Sequence, residues 1–150
     1  MPQSLSKTLV HIVFSTKHRQ ELIDDDIEAA LFGYIGATCN SLKCTTIVVG
    51  GYRNHVHILC SLYRPLSQSD LVKKIKTSSS RWIKTQGPAY EHFYWQDGYG
   101  IFSVSQLQVG GLIRYINNQR AHHESKIYKE EYRRLLREHE LEYDEDHVWD

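Results

Sequence analysis

The alternation of apolar and polar residues along the chain predicts four short strands. Residues 9–15 and 54–62 alternate two sets of side chains, residues 45–49 are all β-branched, and residues 101–104 follow a turn-rich stretch. Side chains two positions apart in a strand lie on the same face of a sheet. Each segment therefore predicts one strand, and Gly50-Gly51 predicts the turn that joins the second strand to the third.

Apolar residues spaced three and four apart predict helices between and after these strands. Ser67 and Ser105 each precede a polar residue three positions later, which is the spacing of an N-terminal capping pattern. Asp24-Asp25-Asp26 offers a cap for an earlier helix. The predicted helices are residues 26–41, a helix that begins after Ser67, a helix from Ser105 to about residue 120 or 122, and residues 126–139.

The order β-α-β-β-α-β, followed by helices, predicts an α+β fold of the ferredoxin-like split βαβ type with extra C-terminal helices. In that arrangement a central antiparallel sheet carries the first two helices on one face, and the third helix has the other face to cover. We expect residues 1–150 to form a single domain, with an acidic tail at about 138–150.

Composition excludes several classes of protein. The formal net charge is zero, because 18 Lys and Arg balance 18 Asp and Glu, which argues against a protein that coats nucleic acid by bulk charge. No apolar run is long enough to span a bilayer, and the three cysteines lack C-x-x-C spacing. We therefore expect a protein of the reducing cytoplasm, with no disulfide framework and no membrane partner.

His55 and His57 are the most informative polar residues of the chain. If residues 54–62 form a strand, both imidazoles lie on one face, while Val56 and Ile58 lie on the other face, in a core. Neutral imidazole is a common ligand of divalent metals. The pair is therefore half of a metal site, although a polar sheet face is the alternative interpretation.

Tyr115 and Gln119 lie four positions apart and share one face of the predicted third helix. An amide oxygen suits Mg²⁺ or Mn²⁺ as a third ligand, and such a metal would stabilise the charge that develops when the tyrosine attacks a phosphate. The result is a phosphotyrosine, whose ester bond permits rejoining without ATP. The four side chains thus predict a phosphoryl-transfer centre. Tyr99 is a competing nucleophile, but its glycine-flanked position favours a turn.

Three sequence blocks, in order, resemble the single-tyrosine HUH transposases of small bacterial insertion sequences, the IS200-like transposases. The blocks are H-x-H at His55 and His57, the segment from Trp95 to Ser105, and Tyr-Ile-x-Asn-Gln from Tyr115 to Gln119 with His122-His123 after it. The similarity extends from His11 to Tyr132, which is nearly the whole chain.

The resemblance implies an enzyme that cleaves and rejoins single-stranded DNA at insertion-sequence ends, beside subterminal hairpins, as a homodimer. It implies Tyr115 as the nucleophile that forms a 5′-phosphotyrosine, and His55, His57 and Gln119 as ligands of Mg²⁺ or Mn²⁺. In relatives the tyrosine helix docks against the partner's histidine pair, so its placement in cis or in trans is open here. The alternatives are a host-adapted or inactive relative that binds DNA hairpins without transposition, and a metal-dependent hydrolase of small phosphoesters.

A basic segment is the candidate DNA-binding surface. Between Leu66 and Thr85, four lysines and one arginine are opposed by Asp70 alone. Such a surface binds phosphates even when the total charge cancels, although a solvated helix face is the alternative interpretation. Aromatic residues at 94, 95 and 99 are candidates to stack on unpaired bases, or to be core. The residues predicted to contact DNA are Lys73, Lys76, Arg81 and Lys84, with Arg114 and Arg120 near the phosphoryl-transfer centre.

Two further features each permit two interpretations. His11 either borders the histidine pair or lies on the sheet surface, and His122-His123 either ends a helix or places an imidazole near the scissile phosphate. Gly110-Gly111 lies inside the predicted third helix, where each glycine costs about 1 kcal/mol relative to alanine. This pair is either a flexible joint that lets Tyr115 move during strand exchange, or a place where the helix starts later or packs closely.

Overall fold

A computed structural model describes residues 2–123 and 126–150, and within them four strands form one antiparallel sheet. The strands are β1 (Leu9–Ser15), β2 (Thr46–Tyr52), β3 (His55–Ser61) and β4 (Gly100–Val104). Their order in the sheet is β2-β3-β1-β4, so β1 pairs with β3 and β4 and not with β2. This order confirms the predicted ferredoxin-like arrangement.

The helices occur between and after the strands, in the predicted order. They are α1 (Glu28–Ser41), α2 (Gln68–Lys84), α3 (Val109–Asn117), α4 (Gln119–His122) and α5 (Tyr128–Glu138). Ser67 Oγ accepts a hydrogen bond from the Asp70 backbone N–H at 3.1 Å, and Ser105 forms a capping box with Gln108. The prediction of one continuous third helix is wrong, because the backbone at Asn118 (φ −101°, ψ 21°) separates α3 from α4. Across the described residues, no helix combines the length and the apolar character that a bilayer span requires.

One face of the sheet is apolar and carries α1 and α2. Residues from β1 and β3, among them Ile12, Phe14, Val56 and Ile58, are buried on this face. The helices contribute to the same buried cluster with Leu31, Ile35, Cys39, Leu71, Val72, Ile75 and Ile83. The predicted placement of the first two helices, and of Val56 and Ile58 in the core, is therefore confirmed.

The other face of the sheet carries α3, α4 and also α5. Val13 of β1 and Phe102 of β4 are buried with α5 residues that include Tyr132, and Trp149 packs against this cluster. The Gly98 backbone N–H donates to the Asp150 carbonyl oxygen at 2.9 Å. The acidic segment after α5 thus returns to the body of the protein, and α5 covers a face that the sequence had assigned to the third helix alone.

Gly50-Gly51 lies inside β2, so the predicted turn at this pair is wrong. The chain turns at Arg53 and Asn54, where Arg53 has a φ of 45°. A Cβ at Gly50 would lie 2.7 Å from the carbonyl oxygen of Ile116 in α3. Gly50 therefore permits the close approach of α3 to β2, which places the helix that carries Tyr115 beside the histidine pair.

Gly110-Gly111 forms part of the first turn of α3, which begins at Val109 and not after the pair. Among the described atoms, a Cβ at either glycine would meet only the guanidinium of Arg114, at 3.6 and 3.8 Å. Neither a late helix start nor close packing accounts for these glycines. The interpretation as a joint stays a prediction.

Candidate active site

His55 and His57 lie side by side on one face of β3, and both are fully buried. The register of β1 against β3 places His11 on the same face, where its Nε2 lies 2.8 Å from His57 Nδ1. Of the two interpretations of His11, the structure thus supports the one in which it borders the pair. His55 Nδ1 lies 2.9 Å from the side-chain oxygen of Asn54. Both rings are therefore held at their Nδ1 atoms, while both Nε2 atoms face inward.

Helices α3 and α4 bring Tyr115 and Gln119 to the same histidines of the same chain. Gln119 Oε1 lies 2.9 Å from His55 Nε2. The phenol ring of Tyr115 lies edge-on to the His57 ring, with 5.7 Å between their centroids. All four residues that sequence reasoning selected for chemistry meet in one cluster within this chain.

Glu131 of α5 lies at the centre of this cluster, and sequence reasoning missed it. Its Oε1 is 3.0 Å from His57 Nε2 and 3.3 Å from His55 Nε2. Its Oε2 accepts hydrogen bonds from the Tyr115 hydroxyl and, at 3.1 Å, from Gln119 Nε2. The carboxylate therefore contacts the histidine pair with one oxygen and the phenol with the other.

A signal for Glu131 was present in the sequence. Tyr128, Glu131, Tyr132 and Leu135 follow the spacing i, i+3, i+4, i+7, which is the buried stripe of a helix. A charged residue on such a stripe is costly to bury unless it has partners. Glu131 is 1 % exposed, so its position on the stripe was itself evidence of a polar site.

Electrostatics in the cluster favour a neutral imidazole at His55, a carboxylate at Glu131 and a protonated phenol at Tyr115. Burial lowers the pKa of His55 to about 4. Burial by itself would raise the pKa of Glu131, but the neighbouring imidazoles, that of His57 above all, hold that pKa well below its usual range. Burial and the Glu131 carboxylate raise the pKa of Tyr115. At neutral pH the phenol therefore donates its proton to Glu131 in a hydrogen bond.

Arg134, one turn after Glu131 on α5, is a further residue that sequence reasoning did not select. Its Nη2 donates to the Tyr115 hydroxyl oxygen at 3.0 Å, and its guanidinium lies 5.5 Å from the centroid of the Tyr115 ring. The phenol oxygen thus lies between a carboxylate and a guanidinium. The guanidinium favours the build-up of negative charge on that oxygen once its proton has passed to Glu131.

His122 and His123 end α4, as one interpretation predicted, and they also reach the cluster. His123 Nε2 lies 3.0 Å from Gln119 Oε1 and 3.3 Å from Glu131 Oε1. His122 Nε2 lies 3.3 Å from Glu131 Oε2. Within the described residues, the donor atoms of His55, His57 and Glu131 are close enough to share one metal ion, and so are those of His122, His123 and Glu131.

The basic residues of α2 lie apart from this cluster, because α2 covers the opposite face of the sheet. Lys73 and Lys76 line a cleft of about 350 Å³ together with Tyr94 and Tyr99. Arg81 is exposed, and Lys84 Nζ lies 4.1 Å from the centroid of the Tyr94 ring. Trp95 at the floor of the cleft is buried and donates to Ser79 Oγ at 2.9 Å, as expected of a core residue.

Three residues that were predicted to contact DNA, Lys76, Arg120 and Arg114, have the following neighbours in the structure. Lys76 Nζ donates to the backbone carbonyls of residues 96, 97 and 98 at 2.8, 3.0 and 2.7 Å, so its three protons already have acceptors. Arg120 pairs with Asp25 at 2.7 Å and with Glu28 at 3.2 Å. Arg114 is exposed on α3 beside the glycine pair.

Comparisons with known proteins agree with this fold. Two solved structures share the fold: a candidate transposase from Deinococcus radiodurans R1 (20 % identity, 79 % of this chain and 98 % of that chain, TM-score 0.61), and a REP-associated tyrosine transposase bound to a REP hairpin (12 % identity, 82 % and 73 %, TM-score 0.58). No curated protein sequence matches the chain. The family model described as "Transposase IS200 like" matches residues 4–119, which is most of the chain. The protein therefore belongs to the family of IS200-like transposases.

Proposed function

We propose that this protein cleaves and rejoins single-stranded DNA at insertion-sequence ends, with Tyr115 as the nucleophile and a 5′-phosphotyrosine as the covalent intermediate. A divalent cation, Mg²⁺ or Mn²⁺, is held by His55, His57 and Gln119. One observation carries the proposal: the Tyr115 hydroxyl and the two inward-facing imidazoles contact the same buried carboxylate, Glu131.

The donor atoms of His55 and Gln119 suit such a cation. Asn54 Nδ2 donates to the Arg19 carbonyl, so its oxygen faces His55 Nδ1 and accepts the ring proton there. His55 Nε2 then presents a lone pair 2.9 Å from Gln119 Oε1, which is also an acceptor. Two acceptors in contact are unfavourable unless a cation lies between them. A bound divalent cation would polarise the scissile phosphodiester and stabilise its developing charge.

Proton transfer follows from the contacts of the phenol. The Tyr115 O–H bond breaks and Glu131 Oε2 takes the proton, while the phenolic oxygen forms a bond to phosphorus. The bond from phosphorus to the 3′ oxygen of the leaving strand breaks, and that oxygen takes a proton from solvent water to become a free hydroxyl, while Glu131 releases the proton of Tyr115 to solvent. Arg134 stabilises the phenolate oxygen during this step. Because the ester is retained in the phosphotyrosine, the reverse attack by a 3′ hydroxyl rejoins DNA.

DNA binding is proposed for the basic residues that line and flank the α2 cleft, Lys73, Lys76, Arg81 and Lys84, with Arg114 and Arg120 nearer to α3 and α4. Tyr94 is 53 % exposed beside Lys84 and offers a ring on which an unpaired base can stack. A hairpin is the proposed ligand, as in the REP-associated relative.

A second copy of the chain is proposed to hold the other DNA end. Since Tyr115 already contacts its own His57, each protomer would carry a complete site. Sedimentation of the protein with and without hairpin DNA tests this homodimer. The three cysteines are free and buried, which suits the cytoplasm proposed from the sequence.

The decisive test is a covalent adduct with DNA. Single-stranded oligonucleotides from the ends of the element, each with its subterminal hairpin, are incubated with the protein and Mg²⁺ or Mn²⁺ and resolved on a denaturing gel. We expect a protein-linked fragment that is lost in Tyr115→Phe and kept in Tyr99→Phe, the control for the competing tyrosine.

Each alternative function gives another pattern in the same assay. Hairpin binding with no adduct in the wild type would favour a DNA-binding relative without transposition. Turnover of small phosphoesters with no protein-linked intermediate would favour a metal-dependent hydrolase. An adduct that persists in Tyr115→Phe would refute the assignment of the nucleophile.

A further inference from the structure

The ring of His123 is fixed so that its inner nitrogen presents a lone pair. His123 Nδ1 lies 2.6 Å from the backbone carbonyl oxygen of Lys126. A carbonyl oxygen can only accept, so in the neutral form of the ring Nδ1 carries the proton and Nε2 carries none. That Nε2 faces two further acceptors, Gln119 Oε1 at 3.0 Å and Glu131 Oε1 at 3.3 Å.

Glu131 Oε1 is surrounded by imidazole nitrogens. The Nε2 atoms of His57, His55 and His123 lie 3.0, 3.3 and 3.3 Å from it. If Nδ1 of His55 and of His123 each donate outward, the Nε2 lone pairs of both rings face the same two acceptors, Gln119 Oε1 and Glu131 Oε1. A single positive centre satisfies all of them at once, which hydrogen bonds between neutral groups cannot do.

The outer nitrogens of the three rings follow the pattern of metal-binding histidines. Each Nδ1 atom has a partner. That of His55 lies 2.9 Å from Asn54 Oδ1, and that of His57 lies 2.8 Å from His11 Nε2. That of His123 lies 2.6 Å from the Lys126 carbonyl oxygen. A histidine that binds a metal through one nitrogen usually has a hydrogen-bond partner at the other, which fixes the ring and its tautomer. His123 has this arrangement as fully as the other two.

We propose that His123 and Glu131 are two further ligands of the cation, in addition to His55, His57 and Gln119. This inference rests on the proposed function, because it concerns the same centre. Glu131 binds through Oε1, and its Oε2 remains the acceptor of the Tyr115 proton, so one carboxylate links the cation to the nucleophile.

The enlarged ligand set changes which metal the centre prefers. Three imidazoles and a carboxylate are a nitrogen-rich set, whereas Mg²⁺ prefers oxygen donors and retains several waters. We therefore expect Mn²⁺ to bind more tightly than Mg²⁺.

Direct Mn²⁺ binding tests the ligand set without reference to DNA cleavage. The full-length protein is titrated with Mn²⁺ and the free ion is measured by EPR, for the wild type, His57→Ala, His123→Ala and Glu131→Gln. We expect the dissociation constant to rise at least about 10-fold in His123→Ala and in Glu131→Gln. The matched controls are His92→Ala, whose side chain is 89 % exposed, and Glu130→Gln, the exposed neighbour of Glu131. Both controls should bind Mn²⁺ as the wild type does.

A second measurement needs no variant and so does not depend on how a mutant folds. Pulsed EPR of the wild-type protein with bound Mn²⁺ detects coordinated imidazole nitrogens, and we expect three histidines. Two histidines, or unchanged Mn²⁺ binding in His123→Ala, would overturn the inference and leave the proposed function standing, provided that His57→Ala abolishes binding. Absence of Mn²⁺ binding in the wild type would overturn the metal-dependent function and the inference together.

Discussion

Strand β3 contributes to two faces of the sheet that have opposite character. Ile58 and its alternate neighbours enter an apolar cluster under α1 and α2, while His55 and His57 enter a polar cluster under α3, α4 and α5. Ile58, His55 and His57 are all fully buried. The two faces therefore differ in the partners that each side chain finds, and not in burial.

The difference separates the source of stability from the source of the proposed chemistry. Burial of apolar surface stabilises the fold by about 25 cal/mol per Å². Burial of an imidazole or a carboxylate costs free energy unless hydrogen bonds replace those to water. On the histidine face those hydrogen bonds come from other site residues, such as Gln119 Nε2 to Glu131 Oε2. The apolar face stabilises the protein, and the histidine face holds reactive groups at fixed distances.

The largest effect on stability is expected on the apolar face. Ile58→Ala removes fully buried atoms and leaves a cavity, so the free energy of unfolding should fall by about 2–5 kcal/mol. Ile47→Ala, at a position that is 37 % exposed on β2, is the control and should change it by less than about 0.5 kcal/mol. Urea unfolding followed by circular dichroism measures both variants, and equal losses would contradict the assignment of the core to this face.

Acid should act on the histidine face and destabilise the metal-free protein. Burial lowers the pKa of His55 to about 4. Between pH 6.5 and 4, His55 is therefore protonated in the unfolded chain and neutral in the folded chain. Stability from this group is present above pH 6.5 and falls with decreasing pH, by at most about 1.4 kcal/mol per pH unit. Below about pH 4.5 the lowered pKa of Glu131 adds a loss of the same sign.

Urea unfolding at pH 7.5, 6 and 5 measures this dependence. His92→Ala, which alters an exposed histidine, should keep the wild-type slope. A free energy of unfolding that is the same at pH 7.5 and pH 5 would show that the buried histidines do not resist protonation.

Two lysines of the α2 cleft should differ in their contribution to stability. Lys76→Ala removes a cation that donates to three carbonyls and should lower the free energy of unfolding by about 1–2 kcal/mol. Lys73→Ala, at an exposed position of the same cleft, should leave stability within about 0.5 kcal/mol. Instead it should weaken hairpin binding and flatten the salt dependence by about one unit of slope. An unchanged salt dependence of hairpin binding would show that Lys73 does not contact a DNA phosphate.

The smallest effect is expected at Gly110-Gly111. Alanine at either position fits beside Arg114 and should raise the free energy of unfolding by about 0.5–1 kcal/mol. Gly33→Ala in α1, where a Cβ would meet no described atom within 4 Å, is the matched control on the other face. If the pair is a joint for Tyr115, the double alanine variant retains the covalent adduct and loses strand transfer, whereas Gly33→Ala retains both. Intact strand transfer in the double variant would contradict the interpretation of this glycine pair as a flexible joint.

Local patterns were sufficient where a single element decides the outcome. The faces of β3 and the caps at Ser67 and Ser105 depend on residues two to four positions apart, and the structure confirms them. The turn assigned to Gly50-Gly51 failed because a glycine also serves where another segment approaches closely, and that need arises from Ile116, far along the chain. Glycine alone does not distinguish these two causes.

The sequence by itself determined which side chains share a face, His55 with His57 and Tyr115 with Gln119, because strand and helix periods set those relations. Only the tertiary structure decided that Glu131, 74 positions from His57, lies between them. The physical reason is that α5 docks through its apolar residues onto Val13 and Phe102, and this packing carries the buried carboxylate to the histidines. Such contacts depend on how whole helices and strands pack against one another. The spacing of residues within a single helix or strand does not determine that packing.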